Sequence, residues 1–270
     1  MITINFPEDK SAFFASDQHF GAPDAASSVP REQRFLLWLE TIEPDAGALF
    51  LLGDLFDFWF EYQAVVPKGF VRILGKLAQM KDSGLPIYFF VGNHDLWMSD
   101  YFEKELGIPV FHQPQQFNIN GTKLFIGHGD GLGPGDKGYK RMKKVFTNPF
   151  SKWLFRWLHP DIGVKLAQYL STKNKLISGD EDAKFLGEEN EWLVQYVKRK
   201  HPETQCKYYV FGHRHLPMII HLPDDAQYIN LGDWIGYFSF GKLHQSTFSL
   251  FSFSADGNAR RFRPISNRDD

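Results

Sequence analysis

The chain has 270 residues, of which 43% are hydrophobic and 23% are charged. This composition allows a sizeable buried core and excludes an intrinsically disordered chain. The length suits one large domain over residues 1–270 rather than two independent cores. A formal net charge of −2 excludes a general attraction to nucleic acids or to anionic membranes.

Three sequence features indicate the compartment. Cys206 is the single cysteine, so no internal disulfide can form, which is typical of a reducing environment. The first ten residues lack both a basic start and an apolar stretch, so no signal peptide is expected. The apolar runs end after a few residues and are too short to span a bilayer. We therefore predict a soluble cytoplasmic protein.

In chain order, a short apolar run that stops at small or polar residues recurs five times. The runs are rich in aromatic and β-branched residues, which predicts strands, and they cover residues 12–15, 48–52, 87–91, 124–126 and 208–211. Strands that are apolar throughout are typical of sheets covered on both faces. This pattern predicts an α/β fold.

Helical periodicity separates some of these strands. Apolar residues at helical spacing predict one helix over 35–42 that starts near Pro30, and a second over 70–78. A third is predicted over 185–197, ending before Pro202. Residues 247–262 contain an Asp-Gly turn signal and are predicted to form a hairpin. The expected architecture is a layered α/β sandwich with an antiparallel end.

Polar side chains cluster directly after all five apolar runs. In open α/β sheets, sites form at the carboxyl ends of strands, which makes the following residues candidate metal ligands: Asp17, His19, Asp54, Asn93, His128, His213 and His215. Carboxylate, imidazole and amide groups suit Mn, Fe or Zn. Seven ligands are too many for one ion and fit two if one carboxylate bridges. Two such ions can clamp a phosphoryl oxygen and lower the pKa of a shared water.

Any one of these residues alone is more simply explained as a structural polar group or a helix cap. However, five of the ten histidines fall in these clusters, and independent structural roles do not explain that placement well. A shared site is the better interpretation of the set.

The ordered motifs resemble the signature of calcineurin-like metallophosphoesterases, and they cover about residues 11–235. They are Asp17-x-His19, Gly53-Asp54-x-x-Asp57, Gly92-Asn93-His94-Asp95, Gly127-His128-Gly129-Asp130 and Gly212-His213-x-His215. The resemblance implies a layered αββα sandwich with two metals. It assigns one metal to Asp17, His19 and His215, the second to Asn93, His128 and His213, and the bridging role to Asp54.

The same resemblance implies two catalytic residues. His94 would be the general acid that protonates the leaving oxygen, and Asp57 would pair with His94 and raise its pKa. Taken alone, Asp57 is equally well explained as a solvated turn carboxylate. Asp95 and Asp130 are expected to orient the ligands.

A strongly basic segment follows the fourth motif. Residues 136–175 contain ten Lys or Arg and two acidic residues, a local charge of +8 that leaves −10 for the rest of the chain. Five large apolar residues share one face of a predicted helix: Phe150, Trp153, Leu154, Trp157 and Leu158. We predict a helical cap insertion over about 133–185 that meets an anionic amphiphile or a membrane surface. The alternative is a packed helical subdomain with a solvated basic face.

Within the superfamily, the chain resembles the UDP-2,3-diacylglucosamine diphosphatase family, through Gly53-Asp54-Leu55-Phe56, through Asp136-Lys-Gly-Tyr139 and through the basic aromatic cap. The resemblance implies hydrolysis of the pyrophosphate of UDP-2,3-diacylglucosamine to UMP and the lipid monophosphate in lipid A biosynthesis, with manganese. It places eight residues near the substrate: Asn93, His94, Asp136, Tyr139, Lys173, Asn174, Lys175 and His213. The best-known members carry arginine where this chain has His94.

The sequence leaves three other functions to consider. The nearest is a soluble metal-dependent phosphodiesterase or phosphatase that acts on a nucleotide or another phosphoester. A nuclease is disfavoured because the basic segment is as aliphatic as it is aromatic, so no nucleic acid partner is expected. A non-catalytic scaffold is disfavoured by the complete ligand set. The expected partner is a nucleotide-linked acylated sugar, with peripheral contact at the cytoplasmic face of the inner membrane.

Overall fold

The computed structural model describes residues 1–133, 137–166 and 184–267. Its strands form two seven-stranded sheets. Sheet A has the spatial order β1 (Ile2–Ile4), β6 (Gln115–Ile119), β7 (Thr122–Ile126), β8 (Tyr208–Phe211), β10 (Gln227–Asn230), β9 (Met218–His221) and β14 (Ile265–Ser266). Sheet B has the order β13 (Ala259–Arg261), β12 (Thr247–Phe253), β11 (Ser239–His244), β2 (Ser11–Ala15), β3 (Ala46–Leu51), β4 (Ile87–Phe90) and β5 (Val110–Phe111).

The helices lie between these strands in the chain. They are α1 (Ala25–Ile42), α2 (Val71–Asp82), α3 (Tyr101–Leu106), α4 (Lys137–Thr147), α5 (Pro149–Arg156), the described part of α6 over 160–166, and α7 (Trp192–Thr204). A short 3-10 turn, Glu43–Asp45, follows α1. We call residues 137–166 the basic helical segment.

Alternating side chains along the central strands place the core in layers. Phe13 and Leu49 pack in one cluster with residues of α1, α2 and α3. Phe14 and Phe50, the next residue in each strand, pack with strands of sheet A. A third cluster joins sheet A to α7. Since successive side chains of a strand point to opposite faces, the fold is a helix–sheet–sheet–helix sandwich, which confirms the predicted α/β class.

The five predicted strands are all present as β2, β3, β4, β7 and β8. Neighbours β2, β3, β4 and β5 pair in parallel, as do β7, β8 and β10. The predicted hairpin is confirmed by the antiparallel pairing of β12 with β13, which matches Phe253 with Ala259. Sheet B therefore has the expected antiparallel end.

Three predicted helix boundaries were wrong. Helix α1 begins at Ala25, not near Pro30, because the Asp24 side chain accepts a hydrogen bond from Ser27 N and caps the helix. Helix α7 begins at Trp192 and continues through Pro202 to Thr204. Helix α5 ends at Arg156, so the face predicted over 150–158 is not one continuous helix.

No helix within the described ranges combines the length and the apolar character that a membrane crossing requires.

Candidate metal centre

Most of the candidate ligands follow strands of both sheets by two or three residues. Asp17 and His19 follow β2, Asp54 follows β3, and Asn93 follows β4. His128 follows β7, and His213 and His215 follow β8. All seven side chains meet at one edge of the sandwich, as the contacts below show.

The first group consists of Asp17, His19 and His215. The Nε2 atoms of His19 and His215 are 3.2 Å apart. Asp17 Oδ1 is 3.3 Å from His215 Nε2 and 3.9 Å from His19 Nε2. One ligand atom from each residue therefore faces the same small volume, as a metal ion requires.

The second group is built around an amide oxygen. Asn93 Oδ1 is 3.1 Å from His128 Nε2 and 3.0 Å from His213 Nδ1. Asp54 Oδ2 lies 3.5 Å from His128 Nε2 and 3.7 Å from His19 Nε2. Asp54 is thus between the two groups, where a bridging carboxylate would stand.

These residues fit divalent metal ions. Asp17, His19 and Asp54 are almost completely buried, and Asp17 Oδ1 accepts no hydrogen bond from any residue that the structure describes. Buried carboxylates need a cation or hydrogen-bond donors to compensate for lost hydration. Carboxylate, imidazole and amide oxygen are suitable ligands for first-row divalent ions, so the centre has the composition of a metal-binding site.

The electrostatics of the groups agree with this conclusion. Burial opposes charge on His128, but the carboxylates of Asp54 and Asp17 raise its pKa to about 10. Burial likewise opposes charge on His215, whose pKa Asp17 and Asp233 raise to about 10. The pKa of Asp54 stays well below its usual value despite burial, because His128 and His94 lie beside it. The same negative field would favour a divalent cation, which displaces protons from such ligands.

Five of the seven candidate ligands have left-handed backbone conformations. The φ angles are +59° at Asp17, +47° at His19, +54° at Asp54, +70° at His213 and +49° at His215. Non-glycine residues rarely adopt such angles, and strained residues of this kind concentrate at functional sites. The surrounding fold therefore imposes the ligand directions.

Glycine at position 92 allows the loop after β4 to lie close to the carboxylate of Asp54. A Cβ added at Gly92 would overlap Oδ1 of Asp54. Any side chain at that position would push the central carboxylate away. This explains why glycine precedes the candidate ligand Asn93.

The structure brings the two predicted catalytic residues together. His94 Nδ1 lies 2.9 Å from the backbone oxygen of Asp57 and 3.5 Å from its Oδ1. The backbone nitrogen of His94 donates to Asp54 Oδ1 at 2.8 Å. The His94 side chain also falls in a possible ligand group with His19 and Asp54, an arrangement that the sequence did not indicate.

Asp95 and Asp130 lie beside the centre without belonging to either ligand group. Asp95 accepts hydrogen bonds from the backbone nitrogens of Gly92 and Leu55, so it joins the second and third motifs. Burial and the nearby Asp54 raise its pKa to about 8. Asp130 forms a 2.5 Å ion pair with Lys143, which ties the basic helical segment to this end of the centre.

Sequence reasoning missed Asp233. Its Oδ2 is 3.4 Å from His215 Nδ1, and its Oδ1 accepts hydrogen bonds from three backbone nitrogens of the following loop. A signal was present, because Gly232-Asp233 follows strand β10 just as Gly53-Asp54 follows β3. Carboxylates in this position orient ligating histidines.

Sequence reasoning also missed a buried ion pair beside the ligand loop. Arg214, between two ligand histidines, makes two hydrogen bonds to the Glu191 carboxylate, at 2.9 and 3.0 Å. Glu191 occupies the N-cap position of α7 with an extended backbone and is almost fully buried. Residues 185–191 therefore lie outside the helix, and Glu191 holds this loop against Arg214.

Replacing Asp233 by asparagine should weaken metal binding about 10- to 100-fold, because the amide no longer fixes the ring orientation and basicity of His215. Calorimetric titration of the metal-free protein measures this directly. Asp225→Asn changes an exposed carboxylate in the β9–β10 loop and should bind metal like the unaltered protein. Equal metal affinity in both variants would contradict the role of Asp233.

The predicted substrate contacts are only partly described. Asn93, His94 and His213 lie in the centre. Tyr139 is in helix α4, and its side chain lies outside the described structure. Asp136, Lys173, Asn174 and Lys175 also lie outside the described residues.

A layered sandwich that gathers carboxylate, imidazole and amide groups at its strand ends has the arrangement of a metal-dependent phosphoester hydrolase. The profile of the calcineurin-like phosphoesterases matches residues 13–217. The chain belongs to the calcineurin-like phosphoesterase family.

Several relatives share a more particular name. A Porphyromonas gingivalis protein named UDP-2,3-diacylglucosamine hydrolase is 39% identical over 256 residues, which cover 89% of this chain and 96% of that protein. A Shewanella baltica protein of the same name is 29% identical over 221 residues, covering 82% and 88%. An Actinobacillus succinogenes protein of that name is 28% identical over 200 residues, covering 74% and 83%.

Proposed function

We propose that this chain hydrolyses the pyrophosphate bond of UDP-2,3-diacylglucosamine, giving UMP and the lipid monophosphate, in lipid A biosynthesis. The observation that carries the proposal is the 39% identity to a UDP-2,3-diacylglucosamine hydrolase over nearly the whole length of both chains. The acidic strand-end centre and the exposed basic segment are compatible with a phosphorylated lipid substrate.

We infer that two divalent ions act in the centre. Asp17, His19 and His215 would hold one ion and Asn93, His128 and His213 the other, with Asp54 shared between them. The ligand set favours manganese, with iron and zinc as alternatives. When bound, such ions polarise phosphoryl oxygens and lower the pKa of water.

Within this scheme, His94 donates a proton to the oxygen that leaves with the lipid phosphate. The backbone carbonyl and the carboxylate of Asp57 contact the His94 ring at Nδ1, and in this proposal Nε2 carries the proton that is transferred. Asp57 thus orients the His94 ring.

The basic helical segment offers a surface for acyl chains. Its inner side is anchored, since Phe155 packs 4.6 Å from Trp97 and 4.7 Å from Phe60, between ring centroids. Its outer side exposes Phe150 by 67%, Trp153 by 52% and Trp157 by 75%. Exposed apolar groups of this size mark interaction surfaces. We propose that this face meets the acyl chains and, in the cytoplasm, the inner leaflet of the membrane.

Changing Trp153 and Trp157 together to serine should raise the KM for the acylated substrate. Each methylene no longer buried costs about 0.8 kcal/mol, so losing contact with three of them corresponds to roughly 50-fold. The measurement is KM with the substrate in mixed micelles. Val71→Ser, which alters a 76% exposed apolar residue of α2, is the matched control. An unchanged KM in the double variant would show that this face does not contact the lipid.

The deciding experiment compares two substrates of the purified, metal-loaded protein. UMP release from UDP-2,3-diacylglucosamine should greatly exceed release from the soluble UDP-N-acetylglucosamine, because only the first has acyl chains. His94 favours a second candidate, a soluble phosphodiesterase, because the best-known members of the diphosphatase family that the chain resembles carry arginine there. Equal rates on both substrates, or hydrolysis of the soluble one alone, would establish that alternative.

A further inference from the structure

A recess lies next to the metal centre, on the side of α1. It has a volume of about 190 Å³ and is lined by Ser27, Pro30, Arg31, Arg34, Ile235 and Phe238. Pockets for drug-sized ligands usually have roughly 300–1,000 Å³. This recess therefore suits part of a substrate, not a whole lipid-linked molecule.

Arg31 connects the recess to the metal centre. One terminal nitrogen of its guanidinium donates to the backbone oxygens of His19 at 2.7 Å and Ala22 at 2.6 Å. Its Nε is buried and has no hydrogen-bond partner among the described residues. Burial lowers the pKa of Arg31, while Asp57, Glu32 and Asp233 act in the opposite direction. Arginine remains charged at neutral pH, so this guanidinium places a positive charge in the wall of the recess.

Arg34, three residues after Arg31 on α1, lines the same recess together with Phe238. The Arg34 guanidinium lies 3.8 Å from the centroid of the Phe238 ring. No carboxylate within 4 Å pairs with Arg34 in the ranges that the structure describes. A planar guanidinium held flat by an aromatic ring can stack with a nucleobase or contact phosphate and ribose oxygens.

The recess and the basic helical segment adjoin different ends of the centre. Arg31 contacts the His19 loop, and Ile235 follows Asp233, which contacts His215. The basic helical segment instead meets Asp130, next to His128. A pyrophosphate substrate whose reacting phosphorus lies between the two ligand groups would extend one half toward each end. Acyl chains fit the exposed apolar helices, which leaves the arginine-lined recess for the other half.

We propose that this recess binds the nucleoside part of the substrate, with the base against the Arg34–Phe238 pair and Arg31 facing the ribose and phosphate. This inference rests on the proposed function. It adds a binding site for a nucleoside 5′-phosphate, formed by α1 and the loop that follows β10.

The test uses UMP and ribose 5-phosphate as probes of the metal-loaded protein, measured by calorimetry. Both carry a phosphate that the metal centre can hold, so only the base distinguishes them. Stacking and charge-assisted contacts are worth about 1–3 kcal/mol. UMP should therefore bind about tenfold more tightly than ribose 5-phosphate, and Arg34→Gln should remove most of that difference. Arg72→Gln, an exposed arginine of α2, should preserve it.

A second variant tests whether UMP needs the volume of the recess, independently of the charge on Arg34. Ile235→Trp places a large side chain in the recess while the backbone nitrogen still donates to Asp233. It should also weaken UMP binding about tenfold, with ribose 5-phosphate affected less. A thermal melt of each variant, matching that of the unaltered protein, excludes loss of folding.

Two outcomes would overturn the inference. One is equal affinity of the unaltered protein for UMP and ribose 5-phosphate. The other is an equal loss of affinity for UMP and for ribose 5-phosphate in Arg34→Gln, which would show only a general charge effect. The proposed function fails separately: if the acylated substrate is not hydrolysed but UMP discrimination depends on Arg34, the nucleoside site remains and the lipid assignment does not.

Discussion

Asp54→Asn should lower hydrolysis at least about 10³-fold and reduce the metal content below two ions per chain. Asp54 Oδ2 faces His128 and His19, one from each ligand group, and its pKa is held well below the usual value. The carboxylate is therefore ionised, and the amide removes a full negative charge from between two cations. Because metal assistance contributes several kcal/mol and each 1.4 kcal/mol is tenfold, the loss should be large.

Elemental analysis and steady-state rates on the same preparations check this expectation. The asparagine keeps an oxygen that can accept from His94 N, so the loop should stay in place. Asp45→Asn, in the exposed turn after α1, is the control and should retain both metal and activity. Full activity of Asp54→Asn with one ion or none would refute the two-metal proposal.

His94→Ala should lower turnover by about 10²–10⁴-fold on a substrate with a basic leaving group, because general acid catalysis contributes about that much. A nitrophenolate leaving group needs no proton, so its release should slow far less. The metals should remain bound, since the backbone nitrogen of residue 94 still donates to Asp54.

The metal content of His94→Ala separates two roles for this side chain. If an ion is lost, His94 is a ligand, in agreement with its position beside His19 and Asp54. If both ions remain and turnover falls equally for substrates with good and with poor leaving groups, His94 is not the general acid. His244→Ala, at the exposed end of β11, is the control.

The positions of the candidate ligands could be predicted because each follows a short apolar strand. Local sequence is sufficient for this, as Ala48–Leu52 followed by Gly53-Asp54 illustrates. Asp233 follows the same rule, but Asn230 interrupts its apolar run. In the structure, that asparagine is buried and donates to the backbone oxygen of Gly212.

Other features depend on contacts between distant parts of the chain. Glu191, at the N-cap position of α7, pairs with Arg214 from 23 residues away. Arg31 reaches the His19 loop only because α1 starts at Ala25. Local periodicity contains no information about such pairings, so neither could be predicted from it.

The left-handed backbone conformations of five candidate ligands set the stability of the fold against its catalytic activity. For an L-residue, this conformation costs roughly 1–2 kcal/mol, a cost that glycine escapes. Asp17, His19, Asp54, His213 and His215 all carry that cost. Selection for thermal stability alone would therefore favour glycine at these positions. The fold would become more stable, but the side chains of the metal centre would be lost. When this protein is engineered for stability, stabilising substitutions at these five positions should be rejected, because the resulting protein would be more stable but inactive.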